Sequence, residues 1–180
     1  MSNKLKITAV SGGAGKPSRT SALLEEITSR INQAIAIDLH LIELSQISAP
    51  LGATASRTEL PEAIQADIAA IESADVLVVA TPVYRATYTG IFKHLFDLVD
   101  QNALLDVPVL LAATGGSDRH ALIIDHQLRP LFSFFQALTL PVGVYATEAE
   151  FVDYKLASKS LDERIDLAVS RALPFFKSRQ

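Results

Sequence analysis

Four hydroxyl side chains, Ser11, Ser18, Thr20 and Ser21, fall within one short stretch, SGGAGKPSRTS, together with Arg19 and the glycines Gly12, Gly13 and Gly15. Hydroxyl groups and a guanidinium are donors, so their shared chemistry is to hold an anion. What precedes and follows them decides whether they can act together. Residues 5–10 form an apolar run that reads as a buried strand. Residues 21–32 place Leu23, Leu24, Ile27 and Ile31 at helical spacing. The stretch is therefore a strand-to-helix loop, where unpaired N–H groups and the helix dipole favour a negative charge. A phosphate is the natural occupant.

Two better-known phosphate loops do not fit. A Walker loop needs a glycine five residues before its Gly-Lys pair and Ser or Thr directly after it, and those positions hold Val10 and Pro17. The dinucleotide fingerprint is half met by Gly13 and Gly15, but its third glycine is replaced by Ser18, and Pro17 disturbs a helix starting at the second. What remains is a hydroxyl-rich loop of the kind suited to the monophosphate end of a flavin mononucleotide. The other reading of these residues is an ordinary loop with Ser18 as helix N-cap.

Two further loops carry unusual chemistry. TPVYRATYTG, residues 81–90, opens with Pro82, which removes an N–H, and continues through Val83 and Tyr84 to Gly90. Such a loop offers backbone N–H groups to the edge of a flat ring and an aromatic face from Tyr84; the alternative is a turn whose tyrosines only pack. Thr114, Gly115, Gly116 and Ser117 place two glycines where they would let a backbone approach a ligand closely, although a glycine pair alone does not identify a site. His40, His94, His120 and His126 lack metal-ligand spacing, so no metal site is expected. Asp97 and Asp100 read as solvated. His120 reads as a surface residue, with contact to a ring edge as the alternative.

The 180-residue chain is 49% hydrophobic with a net charge of -4, which points to a single globular domain over residues 1–180 and to no nucleic-acid partner. It has no cysteine, so disulfides, iron–sulfur clusters and dithiol chemistry are excluded, and any electron transfer falls to a bound cofactor. The apolar part of the N-terminus is too short for a signal peptide, and no apolar run approaches the roughly 20 residues of a membrane span. No membrane association and a cytoplasmic location are expected.

Along the chain, a second strand is predicted over 34–44, a long surface loop over 45–58 around Pro50 and Gly52, and a helix over 61–73 opened by Pro61. VLVVA marks the clearest buried strand, 75–81. A helix over 89–99, a strand over 107–113, a strongly apolar helix over about 118–136, a strand over about 138–146 and a closing helix over 158–176 complete the pattern. Five strands alternating with helices predict an α/β fold with a doubly wound five-stranded parallel sheet. The length favours the flavodoxin-like order 2-1-3-4-5. Ligands in such sheets bind beyond the carboxyl ends of the strands, so the loops after strands one, three and four should meet in one crevice.

Taken together, SRTS in the first loop, ATPVYRATYTGIFKHLFDLV in the middle and ATGGSDRHALIIDHQLRPLF beyond it resemble the NAD(P)H-dependent FMN reductases of the flavodoxin-like superfamily. The similarity is strongest to the reductase component of two-component alkanesulfonate and methanesulfonate monooxygenase systems. It implies FMN and NAD(P)H as ligands, a flavin-dependent monooxygenase as partner, and reduction of FMN by hydride transfer. By it, Ser11, Ser18, Arg19, Thr20 and Ser21 would hold the flavin phosphate, Pro82, Val83 and Tyr84 would line the pyrimidine side of the ring, and Thr114, Gly115 and Gly116 would flank its other edge. The first loop departs from the family in being longer and in lacking an early Arg; Lys16 is the candidate replacement for that charge. The resemblance also implies an inserted residue at His126, giving a π-bulge at a subunit interface.

The composition of that helix points the same way, since Leu122, Ile123, Leu128, Leu131, Phe132, Phe134 and Phe135 exceed one sheet-facing stripe. A homodimer or homotetramer built on it is expected. Hydride transfer between stacked rings needs no side-chain acid or base, so no catalytic residue is assigned. A flavin-retaining azo- or quinone reductase and a non-enzymatic flavodoxin-type carrier are the alternatives.

Overall fold

In the computed structural model, which describes residues 4–179, the strands β1 (Leu5–Ser11), β2 (Ile37–Glu43), β3 (Val76–Pro82) and β4 (Pro108–Gly115) pair in parallel in the order β2-β1-β3-β4. The far edge of β4 pairs with two short parallel strands, β5 (Leu138–Thr139) and β6 (Val144–Thr147), in the fifth position of a flavodoxin-like sheet. Successive side chains of the inner strands enter opposite cores. On one face Leu77 and Val79 of β3 and Val109 and Leu111 of β4 meet the helices α2 (Leu44–Leu51), α3 (Glu62–Glu72), α4 (Gly90–Asp97) and α5 (Arg129–Phe134). On the other, Val76, Val78, Leu110 and Ala112 meet α1 (Arg19–Ala34) and α6 (Lys159–Lys177). Two-sided burial is why β3 and β4 are apolar at almost every position.

Three predicted elements differ in form. Residues 45–58 are not a loop throughout, because α2 occupies their first half. Burial of Leu44 and Leu51 outweighs Pro50, which lies in the last turn, where only one helical bond is lost. His94 secures the remainder, donating from Nε2 toward the carbonyls of Leu51 and Thr54 at 3.0 and 2.9 Å.

The predicted fifth strand over 138–146 is interrupted between β5 and β6, around Pro141. The predicted helix over 118–136 is also divided, into a 3₁₀ turn at Asp118–His120, a π-helical segment at Ile124–Leu128 and α5. Pro130 supplies a physical reason, because its ring would strike the carbonyl four residues back in a regular α-helix, and the wider π turn relieves that crowding. Arg129 joins the two irregularities. Its guanidinium donates to the Leu140 carbonyl at 2.7 Å, to the Pro141 carbonyl at 2.8 Å and to Asp125 at 2.6 Å, satisfying the carbonyls exposed where the strand breaks.

No helix among the described residues is long and apolar enough to cross a membrane. The core beneath α4 is aromatic. Phe96, 1% exposed, lies 4.9 Å from the ring centroids of both Phe92 and Phe132. Phe96→Ala should lower the unfolding free energy by about 3–5 kcal/mol through the cavity left behind, read as a shifted midpoint in urea denaturation. A loss below about 1 kcal/mol would show that this cluster does not anchor the face.

Candidate functional site

The loop after β1 begins with Gly12, whose N–H donates to the Ala80 carbonyl at 2.7 Å, so the chain leaves the sheet tight against β3. A Cβ there would lie 2.9 Å from the Phe92 ring and 3.2 Å from the Ala80 carbonyl, which explains the glycine. Ser18 then caps α1, its hydroxyl accepting from the Ser21 N–H at 3.2 Å. The first bond within the helix runs from Ala22 N–H to the Ser18 carbonyl, leaving the amides of Arg19 and Thr20 at the positive end of a sixteen-residue helix without intrahelical partners.

The loop after β3 is fixed from both sides. Val83 N–H donates to the Thr114 carbonyl at 2.8 Å, and the Thr89 hydroxyl donates to the Gly12 carbonyl at 3.1 Å while accepting from Phe92 N–H to cap α4. Between them Tyr84 and Thr87 exchange backbone bonds around Arg85 and Ala86, both with positive φ, at 51° and 73°. Two consecutive left-handed residues make the tight turn that hairpins prefer, although neither is glycine; the strain lies at the crevice mouth, where Tyr84 is 54% exposed.

The loops after β1, β3 and β4 meet in a crevice of about 300 Å³ at the carboxyl edge of the sheet. Ser18, Arg19, Thr20, Pro82, Val83, Tyr84, Thr114, Gly115 and Gly116 line it, as do Gly13, Ala14, Gly15 and Pro17. Gly116 faces open space at its missing Cβ, whereas a Cβ on Gly115 would meet the Tyr145 hydroxyl at 2.1 Å. That hydroxyl is held by a 2.6 Å bond to the Ser117 carbonyl, and burial, with the charge of Asp118, pushes its pKa up.

Several candidate residues are placed differently from the expectation. Ser11 and Ser21 do not line the crevice; Ser11 is 1% exposed, and the two hydroxyls bond each other at 2.9 Å behind the loop. Thr20 and Thr114 line it from below, with their hydroxyls 2.7 Å apart and both side chains buried. Lys16 also turns away, pairing with Glu43 at 2.5 Å at the end of β2. Although burial pushes the Glu43 carboxyl up, bonds from Lys16, Gln46 and Ser21 bring it below the ordinary carboxylate range.

Two residues that sequence reasoning missed complete the wall, Glu148 and Tyr154. Arg19 pairs with Glu148 at 2.6 Å and lies 5.1 Å beneath the Tyr154 ring, while its Nε is buried without a partner. Tyr154 belongs to the two-residue turn between β7 (Phe151–Val152) and β8 (Lys155–Leu156), a short antiparallel pair. Its Asp-Tyr turn lacks the glycine that would have signalled a hairpin. Outside the crevice, His126 lies exposed in the π-helical segment, and His40 pairs with Asp67 at 2.7 Å. Among the described residues no group of three or more His, Cys, Asp or Glu could hold a metal ion.

The site therefore belongs to a doubly wound α/β protein whose first loop ends at a helix N-terminus beside a crevice lined in part by glycines. A family model for NADPH-dependent FMN reductases matches residues 5–151, and the chain belongs to that family of oxidoreductases, which act on FMN with a reduced nicotinamide. It is 60% identical to the NADH-dependent FMN reductase SfnF of Pseudomonas fluorescens (strain Pf0-1), over 98% of this chain and 94% of that one. It is 57% identical to an FMN reductase (NADPH) of Pseudomonas aeruginosa, over 99% and 96% of the two chains. Among solved structures, an oxidoreductase from Corynebacterium diphtheriae superposes with a TM-score of 0.88 at 33% identity, covering 98% of this chain and 99% of that one.

The wall carrying Glu148 rests on Glu150. Its carboxylate accepts from Arg164 at 2.6 and 2.7 Å, from Thr147 N–H at 2.9 Å and from the Ser158 hydroxyl at 3.1 Å. Burial alone would raise the Glu150 pKa, but these bonds lower it below the ordinary 4.5. A depressed folded-state pKa stabilises the protein fully above the unfolded value, and that contribution disappears as pH falls through the folded one. Glu150→Gln should thus cost about 1.5–3 kcal/mol near neutral pH, and the gap to the parent should narrow as pH drops below about 4.5, in paired urea titrations. A gap independent of pH would refute the ionised pairing.

Proposed function

We propose that this chain, as a single flavodoxin-like domain spanning residues 1–180, reduces FMN with NADH or NADPH in the cytoplasm and hands the reduced flavin to a flavin-dependent, sulfonate-cleaving monooxygenase. The observation that carries the reading is the meeting, in one crevice, of the α1 N-terminus, an arginine with an unpartnered buried Nε, and the Tyr84 and Gly115–Gly116 loops. The cavity of about 300 Å³ is at the lower end of the range for small-molecule sites. Its donors suit a phosphate monoester and its floor suits a flat ring.

FMN, when bound, supplies the hydride-accepting ring. The chain's own residues bind and orient. Ser18, with the Arg19 and Thr20 amides, receives the phosphate end, and the Arg19 guanidinium adds charge that Lys16 does not bring. Pro82, Val83 and Tyr84 border the ring on one side, with Thr114, Gly115 and Gly116 on the other. Holding two rings in contact converts an encounter into an oriented step, which is the main contribution such a site makes to rate. No side chain in the crevice is asked to carry a proton.

In the purified protein, NADH or NADPH should be oxidised steadily with free FMN as sole acceptor, followed by loss of nicotinamide absorbance. A folded sample that fails to do this with either nucleotide would overturn the reading. Passage over a desalting column should remove the flavin, as release to a second enzyme requires; retained flavin would contradict the supply role.

The same reading includes a homodimer or homotetramer built on the face that carries the π-helical segment and α5. Leu122 is 62% and Phe134 65% exposed there, and the adjoining groove of about 500 Å³ is lined by Tyr88, Leu131 and Phe135 among others. His126 lies within the same segment. Sedimentation equilibrium at micromolar concentration should give a dimer or tetramer, and Leu122→Glu with Phe134→Glu should shift it toward monomer. A monomeric parent protein would remove this part of the proposal.

A further inference from the structure

Among the described residues lining the crevice, Arg19 is the one cation and Glu148 the one acid. They pair with each other at 2.6 Å. A carboxylate in a place meant for an anion is a chemical contradiction, because it occupies the donor that the incoming phosphate needs and repels the phosphate itself. The Arg19 and Glu148 side chains are 35% and 57% exposed, but the backbone that carries Glu148 is held in place. Glu148 opens a 3₁₀ turn, Glu148–Glu150, whose ends are tied by reciprocal bonds between Thr147 and Glu150, and Glu150 is anchored in turn by Arg164. The opposite face of the guanidinium lies under Tyr154, whose backbone is held at a φ of 62° next to Asp153 at 48°. A bulky aromatic residue in the left-handed region is uncommon and persists only where its surroundings dictate it. Arg19 thus has an exposed carboxylate beside it and an aromatic ring over its face.

We propose that Glu148 is an affinity-setting residue, an internal carboxylate that competes with the phosphate monoester of the ligand for Arg19. Phosphate binding then replaces or shares one ion pair where it would otherwise form a new one, so the net gain from Arg19 is small. The Arg19 Nε is buried without a partner, and the Tyr154 ring lies over the guanidinium, so the exchange takes place at the terminal nitrogens. The inference rests on the FMN-reducing role proposed above and explains one demand of it, that a flavin reduced here must leave to be used elsewhere.

Glu148→Gln keeps the size of the side chain and removes its charge. Titrations followed by quenching of flavin fluorescence should show FMN bound about three- to fivefold more tightly by this variant than by the parent. Riboflavin, which has the same ring and no phosphate, should bind the two proteins with affinities within about twofold of each other. Unchanged or weaker FMN binding would overturn the inference while leaving the reductase reading intact. Equal tightening of riboflavin would overturn it too, since the effect would then come from the ring and not from Arg19. Failure of the parent protein to bind FMN at all would remove the reductase reading and this inference with it.

Discussion

The crevice depends on one buried contact between segments far apart in the chain, the 2.7 Å hydrogen bond between the hydroxyls of Thr20 and Thr114. Thr20 lies in the first turn of α1 and Thr114 near the end of β4, and both side chains are almost fully buried, at 2% and 6% exposure. An unpaired hydroxyl in such a place costs about 1–3 kcal/mol, so each residue needs the other. Together with Gly12 N–H on Ala80, Val83 N–H on Thr114 and the Thr89 hydroxyl on Gly12, the pair joins three strand ends into one floor. These bonds lie where a parallel sheet runs out of ladder partners. The loops use side chains and each other to satisfy groups that would otherwise need water.

That floor also accounts for the division of labour among the hydroxyls. Ser11, Thr20 and Ser21 are alike in type and close in sequence, yet two of them serve the packing behind the loop and one the base of the crevice, while Ser18 caps the helix. A helix N-terminus can direct only the side chains on its exposed side toward a ligand; the rest face β1 and β4. The loop therefore presents fewer side-chain donors to the crevice than its composition suggests.

Most of the architecture was legible because it follows from period and length. The runs over 5–10, 75–81 and 107–113 are buried on both faces, the spacing of Leu23, Leu24, Ile27 and Ile31 fixes α1, and alternation of strand and helix leaves few topologies. The residues lining the crevice from the three expected loops were legible for the same reason, since topology alone brings strand ends together. Glu148 and Tyr154 were not. Each enters through a short connection after β6 whose path depends on tertiary contacts, and neither TEAE nor DYK carries a composition signal for a ligand wall. The helix α2 was hidden by Pro50, because burial of Leu44 and Leu51 is a property of the folded chain and not of the local sequence.

The interrupted fifth strand links the crevice to the far side of the molecule. After Pro141 the chain re-enters the sheet at Gly143, where a Cβ would lie 2.9 Å from the Leu111 carbonyl and 2.9 Å from Ile124, so glycine is required for β6 to approach β4. Ile124 begins the π-helical segment, and Arg129, next to Pro130, caps the carbonyls of Leu140 and Pro141. The widened helix and the break in the strand are thus two halves of one packing solution. The register they allow, Ala112 opposite Val144 through Gly115 opposite Thr147, brings Thr147 level with the glycine floor and Glu148 one residue beyond it. The residue that faces Arg19 is placed by the same unit whose other surface exposes Leu122. That surface and the wall of the crevice are thus joined by one run of packed residues, Ile124 against Gly143 and Gly143 against β4.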